Sequence, residues 1–183
     1  MLKSSEIYLT LKKIIKKCDL EDIIVFGSSV KGKTMPNDID VCLIFKESLN
    51  LKHIREIQSK LGEKFHVSSL SVDNFFNKKH NLVQTLLFEG ISAKSGKRLS
   101  EIYSFESYGL YYYNISDMKK SDKVRFVYLL KGRKKGEGIV NEFNGKFLVD
   151  SCFMIPVEKD NEMLEIMNKW NVKFSRKRVL LIR

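Results

Sequence analysis

Two hydrophobic periods alternate along this chain. Ile7, Leu9, Leu11, Ile14 and Ile15 form an apolar stripe with lysines opposite, which predicts a helix capped by Ser4 or Ser5 and running to about Lys17. Ile23-Ile24-Val25-Phe26 is a short apolar run of strand type, and a second such run, Val41 to Phe45, follows it. Leu51, Ile54, Ile57 and Leu61 return to helical spacing and predict a helix to about Lys64, with His53 on its polar flank. Phe65 to Val72 reads as a strand, and Asp73 is placed to cap a short helix through Phe76. Asn81 to Phe88 reads as a helix ending at Glu89-Gly90, and Ile91 to Leu99 as a short hairpin around Ser95-Gly96.

From Tyr108 the texture changes. Leu110-Tyr111-Tyr112-Tyr113-Asn114-Ile115 is an aromatic strand, and Lys119 to Asp122 is a polar break that can cap a helix through Val124 to Leu130. Asn144-Gly145 between alternating apolar residues predicts a hairpin with arms Gly138 to Phe143 and Lys146 to Met154. Pro156 breaks that strand, and Met163, Ile166, Met167 and Trp170 line one face of a helix from about Asp160. A basic cluster and a closing strand follow Val172. The expected division is residues 1–103 and 108–183.

A hydrophobic content of 43% over 183 residues allows a real core in one ordinary domain or two small ones. No stretch approaches the roughly 18 to 20 apolar residues of a membrane span, and the start lacks a signal-peptide apolar region, so a cytoplasmic protein without membrane contact is expected. Cys18, Cys42 and Cys152 are far apart and in apolar or helical contexts, which argues against disulfides and a cysteine zinc site. The net charge of +11 fits a polyanionic partner and a Lys-rich solubility surface equally well.

The sharpest chemistry lies between Ile23 and Phe45. A strand that breaks at Gly27-Ser28 into a helical turn is a place for phosphate, since glycine admits a close ligand and the following N–H groups and hydroxyls can donate to it. Gly27, Ser28, Ser29 and Lys31 are therefore the nucleotide-binding candidates. Asp38 and Asp40 open the next strand on one face, with Cα atoms roughly 6.5 Å apart, close enough to hold one divalent ion. Without a cation their mutual repulsion costs stability.

Gly27-Ser28 followed by Asp38-Ile39-Asp40 resembles the signature of the DNA polymerase β-type nucleotidyltransferase superfamily. The compact Gly-Ser-x-x-x-Gly-x-x-x-x-x-Asp-x-Asp spacing is similar to its minimal, MNT-like branch, over roughly Leu2 to Glu89. The resemblance implies an α+β fold, a polymerase β-like short mixed sheet with helices on one side and the acid strand beside the Gly-Ser strand, here followed by a small α+β carboxy-terminal domain. It implies that the Gly-Ser turn holds the triphosphate of an NTP and that Asp38 and Asp40 bind Mg²⁺ or Mn²⁺. A third carboxylate on the next core strand would help activate the attacking hydroxyl. Here the Phe65 to Val72 strand has no acid, so the third carboxylate is missing, moved to Asp73 or replaced by His66.

The carboxy-terminal half is the more basic, with 16 Lys and Arg against 9 Asp and Glu over residues 110–183, a net +7, and +4 before it. Lys131-Gly132-Arg133-Lys134-Lys135-Gly136 fits neither a Walker loop nor a dinucleotide fingerprint. With Arg176, Lys177 and Arg178 it is expected to form a basic, nucleic-acid-binding surface, interleaved with Tyr111 to Tyr113, which read either as half-buried strand residues or as platforms for bases. The expected function is transfer of NMP to an acceptor hydroxyl, on an RNA or tRNA end or a protein, with release of pyrophosphate. The alternative is a catalytically degenerate nucleic-acid-binding or antitoxin-like regulatory module with a protein partner.

Overall fold

The computed structural model describes residues 4–30, 38–77, 81–134 and 136–182. The backbone divides into two compact units, Met1–Ser104 and Phe105–Arg183, each built on its own four-stranded sheet.

The first unit runs α1 (Ser4–Lys17), β1 (Leu20–Phe26), a 3₁₀ turn (Gly27–Val30), β2 (Ile39–Phe45), α2 (Leu51–Leu61), β3 (Phe65–Ser71), α3 (Val72–Asn77), α4 (Asn81–Glu89), β4 (Ile91–Ser92) and α5 (Leu99–Ile102). Its strand order is β3-β2-β1-β4, with β1 antiparallel to β2 and β4, and β2 parallel to β3. The sheet is therefore mixed, and the acid strand lies beside the Gly-Ser strand.

Side-chain alternation feeds two cores. Ile23, Val25, Val41 and Leu43 pack with Leu11, Ile14 and Ile15 of α1 and Ile57 of α2. Ile24, Cys42, Ile44 and Leu70 pack on the other face with Phe75 of α3, Leu86 of α4 and Leu99 of α5. Helices thus cover both faces, where one side was expected; unbroken apolar runs such as Ile23–Phe26 are what strands buried on both sides require. The second core reaches Cys42 and stops. Asp40, next along that face, has a side chain 32% exposed.

Two helix ends differ from expectation. α2 stops at Leu61, where Gly62 follows, rather than at Lys64. α3 is capped by Ser71, whose Oγ accepts the Asn74 N–H at 3.0 Å, while Asp73 lies inside the first turn and accepts from the Asn77 side chain.

The second unit runs β5 (Phe105–Asn114), α6 (Lys120–Lys131), α7 (Ile139–Glu142), β6 (Lys146–Val149), β7 (Cys152–Pro156), α8 (Asp160–Lys169) and β8 (Lys173–Ile182). The order β6-β7-β5-β8, with every neighbour antiparallel, is a split β-α-β arrangement. Tyr111, Tyr113, Phe153 and Ile155 pack against Phe126 and Leu130 of α6, Val140 of α7, and Met163 and Met167 of α8. All three helices therefore lie on one face. The expected hairpin arm Gly138 to Phe143 is instead α7: Ile139, Val140 and Phe143 share a helical face that meets this core. Asn144 at φ +55° and the Gly145 N–H, donated to Val140 O at 2.7 Å, then end the helix. The β6–β7 hairpin turns at Asp150-Ser151.

Candidate active site

Antiparallel pairing sets Asp40 opposite Phe26, so its carboxylate arrives beside the residue that follows, Gly27. Gly27 has φ +76°, and a Cβ there would stand 2.1 Å from Asp40 Oδ2. Only glycine tolerates both the backbone angle and the close approach. Ser29 Oγ donates to Phe26 O at 3.1 Å and fastens the turn. The Ser28 hydroxyl has no hydrogen bond among the described residues and stands half-buried beside the acid strand. Lys31 lies outside the described residues.

The Gly27 N–H donates to Oε1 of Glu89 at 3.0 Å, and Glu89 is 2% exposed at the end of α4. Arg98 Nη1 donates to the Glu89 carbonyl at 3.0 Å and Nη2 to the Val30 carbonyl at 3.5 Å. Glu89 and Arg98 thus tie α4 to both ends of the 3₁₀ turn. Sequence reasoning missed both because the Gly27–Glu89 contact spans 62 residues; a lone acid closing an apolar helix was the one local signal.

Parallel pairing sets His66 directly beside Asp40. Its Nδ1 is 3.6 Å from Asp40 Oδ1, and its Nε2 is 4.0 Å from Asp38 Oδ1. The imidazole therefore spans the two carboxylates from the strand where a third acid was expected. Asp73 does not reach them: β3 runs five residues from His66 to Ser71, about 16 Å, before Asp73 begins to turn away in α3. Among the described residues no three His, Cys, Asp or Glu side chains close into a metal cage. Asp38, Asp40 and His66 form an open cluster instead, with side chains 53%, 32% and 64% exposed. The two carboxylates suit a hard divalent cation such as Mg²⁺ or Mn²⁺, whereas an imidazole is a softer donor, so His66 stands beside that oxygen pair rather than within its ligand set. Cys42, on the same face, is fully buried, and burial pushes its thiol up to about 12, so it is neither nucleophile nor ligand near neutrality.

The basic residues do not share a surface. Arg176 forms an ion pair with the fully buried Asp160, which also accepts from Tyr111 Oη at 2.6 Å, so Arg176 is spent inside the unit. Burial works against its charge, but the Asp160 hydrogen bond and attraction prevail and hold the guanidinium above its ordinary pKa. Strand alternation puts Arg178 on the face of Arg176 and Lys177 on the opposite one. Lys131 Nζ lies 2.7 Å from Asp150 Oδ1 and sits over the Phe147 ring, while Arg133 lies over Tyr128. The Lys134 N–H donates to Glu137, and Lys135 lies outside the described residues. Of the three tyrosines, Tyr111 and Tyr113 are buried in the core and Tyr112 is 53% exposed.

A chain of a toxin–antitoxin solved with AMP-PNP is 18% identical over 47% of this chain and 71% of its own, with a TM-score of 0.37. A chain from a complex of tri-AMPylated Shewanella oneidensis HEPN toxin with MNT antitoxin is 21% identical over 53% and 78%, with a TM-score of 0.36. No curated protein matches the sequence significantly. Residues 10–98 match the family described as polymerase beta, nucleotidyltransferase, a stretch that contains the whole of the Gly27-to-Asp40 arrangement and His66. The first compact unit of this chain therefore contains a stretch that matches the polymerase beta nucleotidyltransferase family.

Proposed function

We propose that this protein is a divalent-cation-dependent nucleotidyltransferase that moves NMP from an NTP to an acceptor hydroxyl. The observation that carries the reading is the packing of the Asp40 carboxylate against Gly27, beside an unengaged Ser28 hydroxyl. Asp38 and Asp40 are the residues to hold Mg²⁺ or Mn²⁺. When bound, the cation supplies charge neutralisation at the transferring phosphoryl group. Ser28 Oγ and the N–H groups of the turn after Gly27 bind phosphate oxygens, and Ser29, Glu89 and Arg98 keep that turn in shape. His66 is the side chain at hand to take the acceptor proton. The acceptor oxygen bonds to the α-phosphorus, the bond to the bridging oxygen breaks, and pyrophosphate leaves. A cytoplasmic setting, where NTPs are abundant, suits the three buried free thiols.

One observation favours a second reading, a binding-only or antitoxin-like module: the third-acid position on β3 is taken by His66, and Asp73 stands at the other end. Incubation with each α-³²P-labelled NTP, Mg²⁺ or Mn²⁺, total RNA and cell protein separates the two. Transfer by the wild type, lost in Asp38→Ala, Asp40→Ala, is the expected outcome. Nucleotide bound without transfer would leave the second reading standing, and binding undiminished in the double variant would overturn the site itself.

A further inference from the structure

Among the described residues, the second unit packs none of its own helices on one face of its sheet, because α6, α7 and α8 all lie on the side of Tyr111, Tyr113 and Phe153. Register fixes what the other side carries. One rung across the four strands reads Lys146, Met154, Leu110, Lys177, and the next reads Val149, Cys152, Tyr112, Ser175. Cys152 and Met154 are buried as a floor. Tyr112 rises from it on a central strand, 53% exposed. Lys146 and Lys177 flank it from the two edge strands, are exposed, and make no ion pair among the described residues. Lys173 lies further along the same face of β8 and pairs with Asp117 at 2.6 Å.

We infer that this helix-free face binds single-stranded nucleic acid, with one base stacked on Tyr112 and the backbone phosphates drawn to Lys146 and Lys177. The arrangement meets the two demands of such a ligand: an aromatic platform that any unpaired base can cover, and cations spaced along its track. A duplex hides its base faces and gains nothing from the platform. The inference names the acceptor class for the proposed transfer and in that respect rests on that reading; the test measures binding alone, so the two fail separately.

The test is fluorescence anisotropy of the full chain with a labelled single-stranded oligouridylate, its duplex, and a photoreactive uridine version for mapping. Tyr112→Ala should weaken single-strand binding roughly tenfold, the scale of one lost stack, while Tyr112→Phe, which keeps the ring, should bind as wild type. Lys146→Gln with Lys177→Gln should lower the slope of log affinity against log salt by between about one and two. Lys131→Gln with Arg133→Gln, both engaged elsewhere, should change neither, and the crosslink should fall on Tyr112. The inference is overturned if the wild type does not bind the single strand, if it prefers the duplex, if Tyr112→Ala binds normally, or if the crosslink maps to another surface. Loss of labelled-NMP transfer in Asp38→Ala, Asp40→Ala with oligonucleotide binding intact is the expected joint result.

Discussion

Gly27 serves two masters, a left-handed backbone and the carboxylate of Asp40 pressed against it. Adding a methyl group sets these in conflict. Gly27→Ala is expected to cost roughly 1–3 kcal/mol in strain and to push Asp40 out of its place, so metal-dependent nucleotide binding falls together with thermal stability. Ser28→Ala removes only an unengaged hydroxyl, and should leave the melting temperature unchanged while weakening nucleotide binding by several-fold. Calorimetric melts beside nucleotide titrations check both. Equal effects of the two substitutions on stability would show that Gly27 is not under constraint. At this scale the sequence was informative because the chemistry is local: Gly27, Ser28, Asp38 and Asp40 lie within one strand–turn–strand. What it hid was the support, since Glu89 and Arg98 reach the turn from 62 and 68 residues away.

Elements with a strong period were legible, and those defined by a distant partner were not. α1, β1, β2 and α8 lie where their apolar spacing puts them. α7 does not, because Asn144-Gly145 is a hairpin signal only if strands flank it, and Ile139, Val140 and Phe143 satisfy the core better as a helical turn. The basic run Arg176-Lys177-Arg178 reads as one cluster along the chain, yet a strand deals its members to opposite faces and Asp160 claims one of them. That Asp160 anchor ties β5, α8 and β8 together and sets a pH dependence. Burial first, then the hydrogen bond and charge of Asp160, raise the Tyr111 hydroxyl above its ordinary value, although Arg176 opposes them. A raised acid binds its proton more tightly folded than unfolded, so this stability is complete below about pH 10 and is lost as pH climbs beyond it. Tyr8 and Tyr113, also raised chiefly by burial, add to the same loss. Chemical unfolding from about pH 9 to 11 should therefore show falling stability, by up to about 1.4 kcal/mol per pH unit for each tyrosine, and a shallower fall in Tyr111→Phe. An identical fall would mean that Tyr111 titrates alike in both states.

For the whole molecule, the +11 charge divides into +5 on the first unit and +6 on the second, which is the shorter of the two. No helix among the described residues is long and apolar enough to cross a membrane. Part of the positive charge sits on β8, which pairs with β5 along all ten residues and, among the described residues, has no strand on its other side. An outer strand of that length, ending in Val179-Leu180-Leu181-Ile182 with Ile182 82% exposed, is a ready template for a second chain to add to. Lysine and arginine along such an edge keep like molecules apart, because a docking copy would have to bury matching charges. Lys173, Lys177 and Arg178 would then act as the unit's guard against self-pairing, and Lys177 as a lure for phosphate as well. Replacing all three with glutamine should drive concentration-dependent association in sedimentation velocity, whereas a monodisperse variant would show that the edge is protected by other means. The colloidal behaviour of this protein would in that case share one cation, Lys177, with its attraction to polyanions, so that a bound polyanion would weaken the barrier to self-pairing.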